Sequence, residues 1–197
     1  MVLRWADAVT IGTLAGAVLL LVAGALDSLD RPRLAATLAR QRLLGPRGRR
    51  VVGAALGPAQ LAVGVVVLAL WVGGAPGFRE SCAVPTALYA GFAAYLLVLV
   101  RRRPGAPCGC LGGDTPAGVP AIGRAALFAA CSAGSAMNWP PAAGATAIDM
   151  PAPDRLILLA AAGLLAAIAA LLPTVLTDQA RDGEAARRSK GRHQRHG

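Results

Sequence analysis

The sequence predicts an all-α protein, a polytopic transmembrane helical bundle of five spans with a short interfacial helix. Three observations carry that reading. Of 197 residues, 55% are apolar and 15% charged, and the mean hydropathy is positive, so polar surface is too scarce for a soluble chain of this size. Several apolar runs approach the length that crosses a bilayer, about 20 residues at about 1.5 Å each. The net charge of +10 gathers as arginine in the gaps between those runs, which is how topology is written into a membrane sequence. The expected partner is therefore the lipid bilayer and not nucleic acid. Residues 1–177 form one transmembrane helical domain, and 178–197 are read as a basic, disordered tail.

The first span runs from about Ala8 to Leu26, with Gly12, Gly16 and Gly24 placed for close helix contact. Arg4 before it and the small residues Val22-Ala23-Gly24-Ala25 also fit a secretory signal. The apolar stretch is long for a signal, however, and a densely basic segment follows, as a retained anchor requires. That segment, Asp27 to Arg50, carries seven arginines against two aspartates. Asp30 suits an N-cap and Pro32 an opening turn, and Leu34, Leu38 and Gln41 fall on one side, which predicts an interfacial helix over Arg33 to Leu44. Gly45-Pro46 ends it.

The second span is about Val51 to Trp71. Pro58 within it removes a helix donor and favours a kink. Gln60 is a polar amide in an apolar segment; it either lines a polar site between helices or pins their packing. After a short turn in which Arg79 and Glu80 cancel, the third span covers about Ala83 to Val100, with Cys82 at its mouth, Tyr89 and Tyr95 inside it, and the triplet Arg101-Arg102-Arg103 at its end. The fourth, about Ala121 to Trp139, has Arg124 close enough to its start to snorkel and Cys131 near its middle. The fifth, about Leu156 to Leu176, is nearly all leucine and alanine, which suits a scaffold.

Basic loops after spans one and three and a basic tail, against neutral or acidic loops after spans two and four, put the N-terminus outside and the C-terminus in the cytoplasm of a plasma or inner membrane. Trp5, Trp71 and Trp139 then all fall at outer ends, as interface anchors do. Both histidines lie in the tail, so no metal site is expected.

Between spans three and four stands Pro107-Cys108-Gly109-Cys110-Leu111-Gly112-Gly113, the main polar break in the apolar sequence. A Cys-Gly-Cys pair can cycle between dithiol and disulfide, hold a soft metal, or sit inert in a tight loop. Gly109 gives the backbone freedom to turn both sulfurs one way. The redox use is the leading one, with Cys108 and Cys110 as the pair and Cys131, buried between the two faces, as a candidate relay. At a cytoplasmic boundary the pair rests as thiols, and Cys82, a span away at the outer end, is out of disulfide reach.

Three stretches bear a resemblance to known proteins: Gly24-Ala25-Leu26-Asp27-Ser28-Leu29 with the arginine-rich segment through Leu43-Leu44; Pro58-Ala59-Gln60-Leu61-Ala62-Val63-Gly64; and Pro107-Cys108-Gly109-Cys110-Leu111-Gly112. Together they resemble the MauE proteins of methylamine utilisation and the wider DoxX-like membrane group, over about the first 125 residues. Leu111 stands where the family motif has an aromatic residue, and Gln60 where a membrane glutamate is frequent. The resemblance implies a role in maturing disulfide-containing periplasmic redox proteins or in membrane-linked thiol chemistry; it implies no methylamine pathway for this chain.

Three functions follow as expectations. The first is a redox-associated membrane protein passing electrons between thiols and a membrane quinone, with a thiol-redox or extracytoplasmic client as partner. The second is a noncatalytic assembly or scaffold subunit. The third is a small-solute transporter with Gln60, Tyr89 and Tyr95 as its polar path; the same three are the weak candidates for cofactor binding.

Overall fold

The protein is described by a computed structural model, which covers residues 5–75, 77–108, 117–137, 151 and 153–171. Among them are α1 (Trp5–Leu29), α2 (Arg31–Gln41), α3 (Pro46–Gly73), α4 (Phe78–Ser81), α5 (Ala83–Arg102) and α6 (Val119–Met137), followed by α7 (Pro153–Leu171). Five helical segments are long and apolar enough to cross a membrane: α1, α3, α4 with α5, α6 and α7. The all-α bundle of five spans is what the apolar runs predict. The basic tail, Trp139 and the last residues of the predicted fifth span lie outside the described residues.

The helices outrun their apolar cores, because a helix that leaves the hydrocarbon can continue on polar residues at no desolvation cost. Thus α1 starts at Trp5, and α3 opens at Pro46 and carries Arg47, Arg49 and Arg50 in its first turns. Pro46 suits an opening turn, where the missing N–H has no helical partner to lose. The helix runs on through Pro58.

Helix α1 is central. Its apolar window is 61% buried, against 17–28% in the other four spans. The predicted glycine contacts explain how neighbours come so close. A methyl group at Gly24 would lie 2.5 Å from the Leu61 amide nitrogen and 2.7 Å from the Gly57 carbonyl oxygen, and one at Gly64 would meet the Ala17 carbonyl at 2.8 Å. The α1–α3 crossing is therefore backbone against backbone. The buried face of α3 repeats every three or four residues, through Gly57, Gln60, Gly64, Val67 and Trp71, which is the stripe one helix presents to another.

On the other side of α1, Gly12 receives the Cys131 sulfur of α6, and Gly16 faces the rings of Tyr89 and Phe128. Thr13 and Ser135 share a buried hydrogen bond of 2.9 Å between α1 and α6. Leu158, Ala162 and Ala166 of α7, spaced by four, complete the core. These pairings make α3 and α6 antiparallel to α1. One end of the bundle thereby collects α2, the start of α3, the end of α5 and nearly all the described arginines.

Two expectations are corrected. Trp71 is no interface anchor: it is fully buried in a cluster with Phe78 and Cys82, because the turn after α3 folds back as α4 and covers the indole. The interfacial helix stops at Gln41, short of Leu44, where Arg42 takes a left-handed conformation (φ 52°) and frees Leu43 to pack beside Leu96 and Leu99.

Candidate functional site

The site is assembled by α2. Asp30 caps it by accepting the Arg33 N–H at 3.1 Å, and Pro32 occupies the first turn, so its start is fixed by local chemistry. Leu34, Thr37, Leu38 and Gln41 then form the buried face of an otherwise basic helix. Gln41 is 2% exposed. A buried primary amide needs partners for both its N–H donors and its oxygen. It finds them far along the chain: Nε2 donates to the Pro107 carbonyl at 2.8 Å and to the Cys108 carbonyl at 3.3 Å, and Oε1 accepts the Tyr95 hydroxyl at 2.5 Å.

The cysteine loop is closed at its base. After α5, Gly105 turns the chain with φ +81°, and the Ala117 N–H donates to the Ala106 carbonyl at 2.8 Å. Cys108 packs with Tyr95 and Ala106 against a small cluster formed by Leu96, Leu99, Ala117 and Ala121. Gly109 and Cys110 lie outside the described residues.

Behind Cys108, at the arginine-rich end of the bundle, opens a cavity of about 100 Å³ that is partly open to the exterior. It is walled by α1, α2, α3, α5 and α6, and its lining joins Cys108 to Gln60, Tyr89 and Tyr95. Four of the six residues singled out from the sequence thus meet in one space. Cys131 does not line it: its sulfur rests on Gly12, one helical turn beyond Phe128, the last α6 residue of the lining. Cys82 is fully buried at the opposite end of α5. Cys82 and Cys131 are free thiols.

The cavity is mainly apolar, and Tyr89, Phe92 and Phe128 are among its lining. The Tyr89 and Phe128 rings pack tilted by 39° with centroids 5.4 Å apart, and the Tyr89 hydroxyl donates to the Gly16 carbonyl at 2.6 Å. Gln60 differs from the other polar groups. It is 4% exposed, and its Oε1 has no hydrogen-bond partner among the described residues, a cost of about 1–3 kcal/mol for a buried acceptor. An amide at that cost, held on a helix face and set in a cavity wall, is suited to a ligand's polar group.

Sequence reasoning missed four polar lining residues: Gln41, Thr37, Asp27 and Arg124. Gln41 was visible as a polar residue in the apolar stripe of the interfacial helix. Arg124, expected to snorkel, donates Nη1 to the Ala169 carbonyl at 2.6 Å, tying α6 to the end of α7. Asp27, at the close of the first span, gave no signal beyond its place in the motif. No group of three metal-ligating side chains occurs among the described residues.

A family model described as Methylamine utilisation protein MauE matches residues 5–138, past the last of the three resembling stretches. No curated protein and no solved structure gives a match.

Proposed function

The chain belongs to the MauE family, and from that premise we propose that it is a redox-associated membrane protein in which Cys108 and Cys110 cycle between dithiol and disulfide at the rim of the cavity, supporting maturation of extracytoplasmic redox proteins. The observation that carries this reading is the convergence of Cys108 with Gln60, Tyr89 and Tyr95 on one apolar cavity inside a membrane bundle.

Closing the Cys108–Cys110 disulfide forms one S–S bond and releases two electrons and two protons, so an acceptor is required. We assign that part to a membrane quinone, which when bound would supply two-electron, two-proton acceptance. The residues present suit it. Tyr89, Phe92 and Phe128 line the cavity and would pack on a flat ring, and the Gln60 amide would pair with its oxygens. A neutral amide serves both redox forms: its nitrogen donates to a carbonyl and its oxygen accepts from a hydroxyl. A carboxylate accepts only, which gives Gln60 a physical sense at a position where relatives frequently carry glutamate.

The arginine-rich end is read as cytoplasmic, where the pair rests reduced. A client on the opposite face then needs a path across the bundle, and Cys131, on α6 beyond Phe128, is the relay candidate. The second reading is a noncatalytic assembly subunit, favoured by the plain alanine and leucine surface of α7.

The test is thiol trapping in vesicles prepared with or without an isoprenoid quinone. Acid quenching followed by a mass-shifting alkylating reagent should reveal an oxidised Cys108–Cys110 fraction that grows with quinone and shrinks in Gln60→Leu. A pair that stays fully alkylatable under both conditions replaces the redox reading with the assembly reading.

A further inference from the structure

We propose that Arg42 and the triplet Arg101-Arg102-Arg103 form a headgroup site for an anionic phospholipid at the arginine-rich end of the bundle. The site involves no electron transfer and stands apart from the redox reading.

The argument starts from charge. Seven arginines between Asp27 and Arg50, with the triplet that ends α5, share their end of the bundle with the carboxylates of Asp27 and Asp30. Both carboxylates lie elsewhere: Asp30 accepts the Arg33 N–H at the start of α2, and Asp27 lines the cavity and attracts Arg33. A preference for positive charge on one membrane face accounts for arginines scattered over that face. It does not account for four that converge from segments about sixty residues apart.

Their convergence is fixed by the neighbours of Arg42. On one side, Gln41 accepts the Tyr95 hydroxyl and donates to the Pro107 carbonyl at 2.8 Å. On the other, Leu43 packs on the cluster that contains Leu96 and Leu99. The Leu99 carbonyl in turn accepts the Arg103 N–H at 2.7 Å, and the Ala106 N–H closes the next turn on the Arg103 carbonyl at 3.1 Å. The end of α2 and the end of α5 are therefore one surface, and all four arginines on it are exposed. The negative ends of the two helix dipoles offset about half a charge each, which leaves about three of the four positive charges uncompensated. Arg42 also holds φ at 52°, the left-handed region that favours glycine. Glycine would make the same turn with less strain, so the turn alone does not explain a guanidinium there.

The surface beneath the charges identifies the anion as a lipid. Leu97 and Val98 are exposed on α5, and Arg101 and Arg102 stand four residues on from each, so charge and apolar surface share one helix face. A phospholipid satisfies both, with its acyl chain along Leu97 and Val98 and its phosphate among guanidinium forks, which pair bidentately with phosphate oxygens as an ammonium does not.

The test is native mass spectrometry of the full-length protein released from nanodiscs of mixed phosphatidylglycerol and phosphatidylcholine with matched acyl chains. Wild type should carry phosphatidylglycerol on the order of tenfold above its share of the mixture, since each arginine near an anionic surface is worth about fivefold. Arg42→Gln with Arg102→Gln should lower that preference at least fivefold, and Arg79→Gln, at the opposite end of the bundle, should leave it unchanged. Removing basic charge can also turn a membrane protein over, so Arg42→Lys with Arg102→Lys is the second variant. It keeps the charge and the orientation, loses the forks, and should lower the preference several-fold.

A wild type without preference overturns the site. Lysine variants at the wild-type preference, or an equal loss in Arg79→Gln, show attraction by net charge alone and overturn it too. A preference that millimolar inorganic phosphate abolishes reassigns the cluster to a free anion and overturns the lipid. None of these outcomes bears on the cysteine pair, whose thiol trapping is read separately.

Discussion

The Tyr89 hydroxyl of α5 lies 2.6 Å from the Gly16 carbonyl of α1, and a methyl group at Gly16 would come within 3.1 Å of the same tyrosine ring. The glycine both accepts the bond and makes room for the ring that gives it. Tyr89→Phe should therefore keep the packing and lose the bond, lowering stability by about 1 kcal/mol, since interhelical hydrogen bonds in membranes average near 0.6 and reach about 1.7. Reversible unfolding in mixed micelles measures this. A loss several times larger would show that the hydroxyl organises more than one contact.

Glycines separate into two groups by what a methyl would meet. Gly24→Ala places carbon against the backbone of α3 at 2.5 Å, where no side chain can yield, and should part the helices at a cost of several kcal/mol, in the range of overpacked cores or beyond. Gly123→Ala and Gly163→Ala meet nothing within 4 Å and should be neutral or stabilising by up to about 1 kcal/mol through helix propensity. Thermal unfolding of the three variants in one detergent decides it; equal behaviour would contradict the close crossing.

The legible part of this protein was its apolar pattern. Run lengths give five spans, and Asp30 with Pro32 gives the start of the interfacial helix, because spanning and capping are local chemistry. Trp71 shows the limit: hydropathy places it at a span end, but only the return of Phe78 and Cys82 decides that it is covered. Gln41 shows it again, since a polar residue in an apolar stripe announces a partner without saying that the partner lies 66 residues away. Gln60, Tyr89 and Tyr95 were picked as isolated polar groups within spans, and their meeting with Cys108 depends on helix packing that no single segment encodes.

Gln60 offers a test in which stability and function move in opposite directions. Its Oε1 is buried without a partner among the described residues, so Gln60→Leu should leave stability unchanged or raise it by about 1–2 kcal/mol while reducing quinone-dependent oxidation of the pair. Val66→Leu, at a position 48% exposed on the same helix, should change neither. If Gln60→Leu loses stability with activity intact, the amide serves packing alone.

The charge distribution predicts an orientation. Arg101, Arg102 and Arg103 end α5 beside the α2 segment, whereas the opposite end carries the self-cancelling Arg79 and Glu80. Membrane-impermeant labelling of single reporters after Gly45 and after Gly144 in intact cells should mark opposite faces, with Gly45 protected. Labelling of both on one side would overturn the alternating order of spans.

The cysteines are best ordered by removing them singly. Cys108→Ser and Cys110→Ser should each abolish the oxidised species and the activity, because a two-electron thiol step needs both sulfurs and neither serine can form the bond. Cys131→Ala tests a different step. Its sulfur fills the space over Gly12, so the variant loses about 1 kcal/mol or a little more of packing, which a stability measurement registers on its own. If Cys131 relays electrons from the far face, oxidation of the Cys108–Cys110 pair by quinone should persist in Cys131→Ala while oxidation of an extracytoplasmic thiol client falls at least tenfold, an effect larger than that packing loss accounts for. Client oxidation at the wild-type rate, with the pair still cycling, would return Cys131 to the core and leave the path across the bundle to the cavity's occupant.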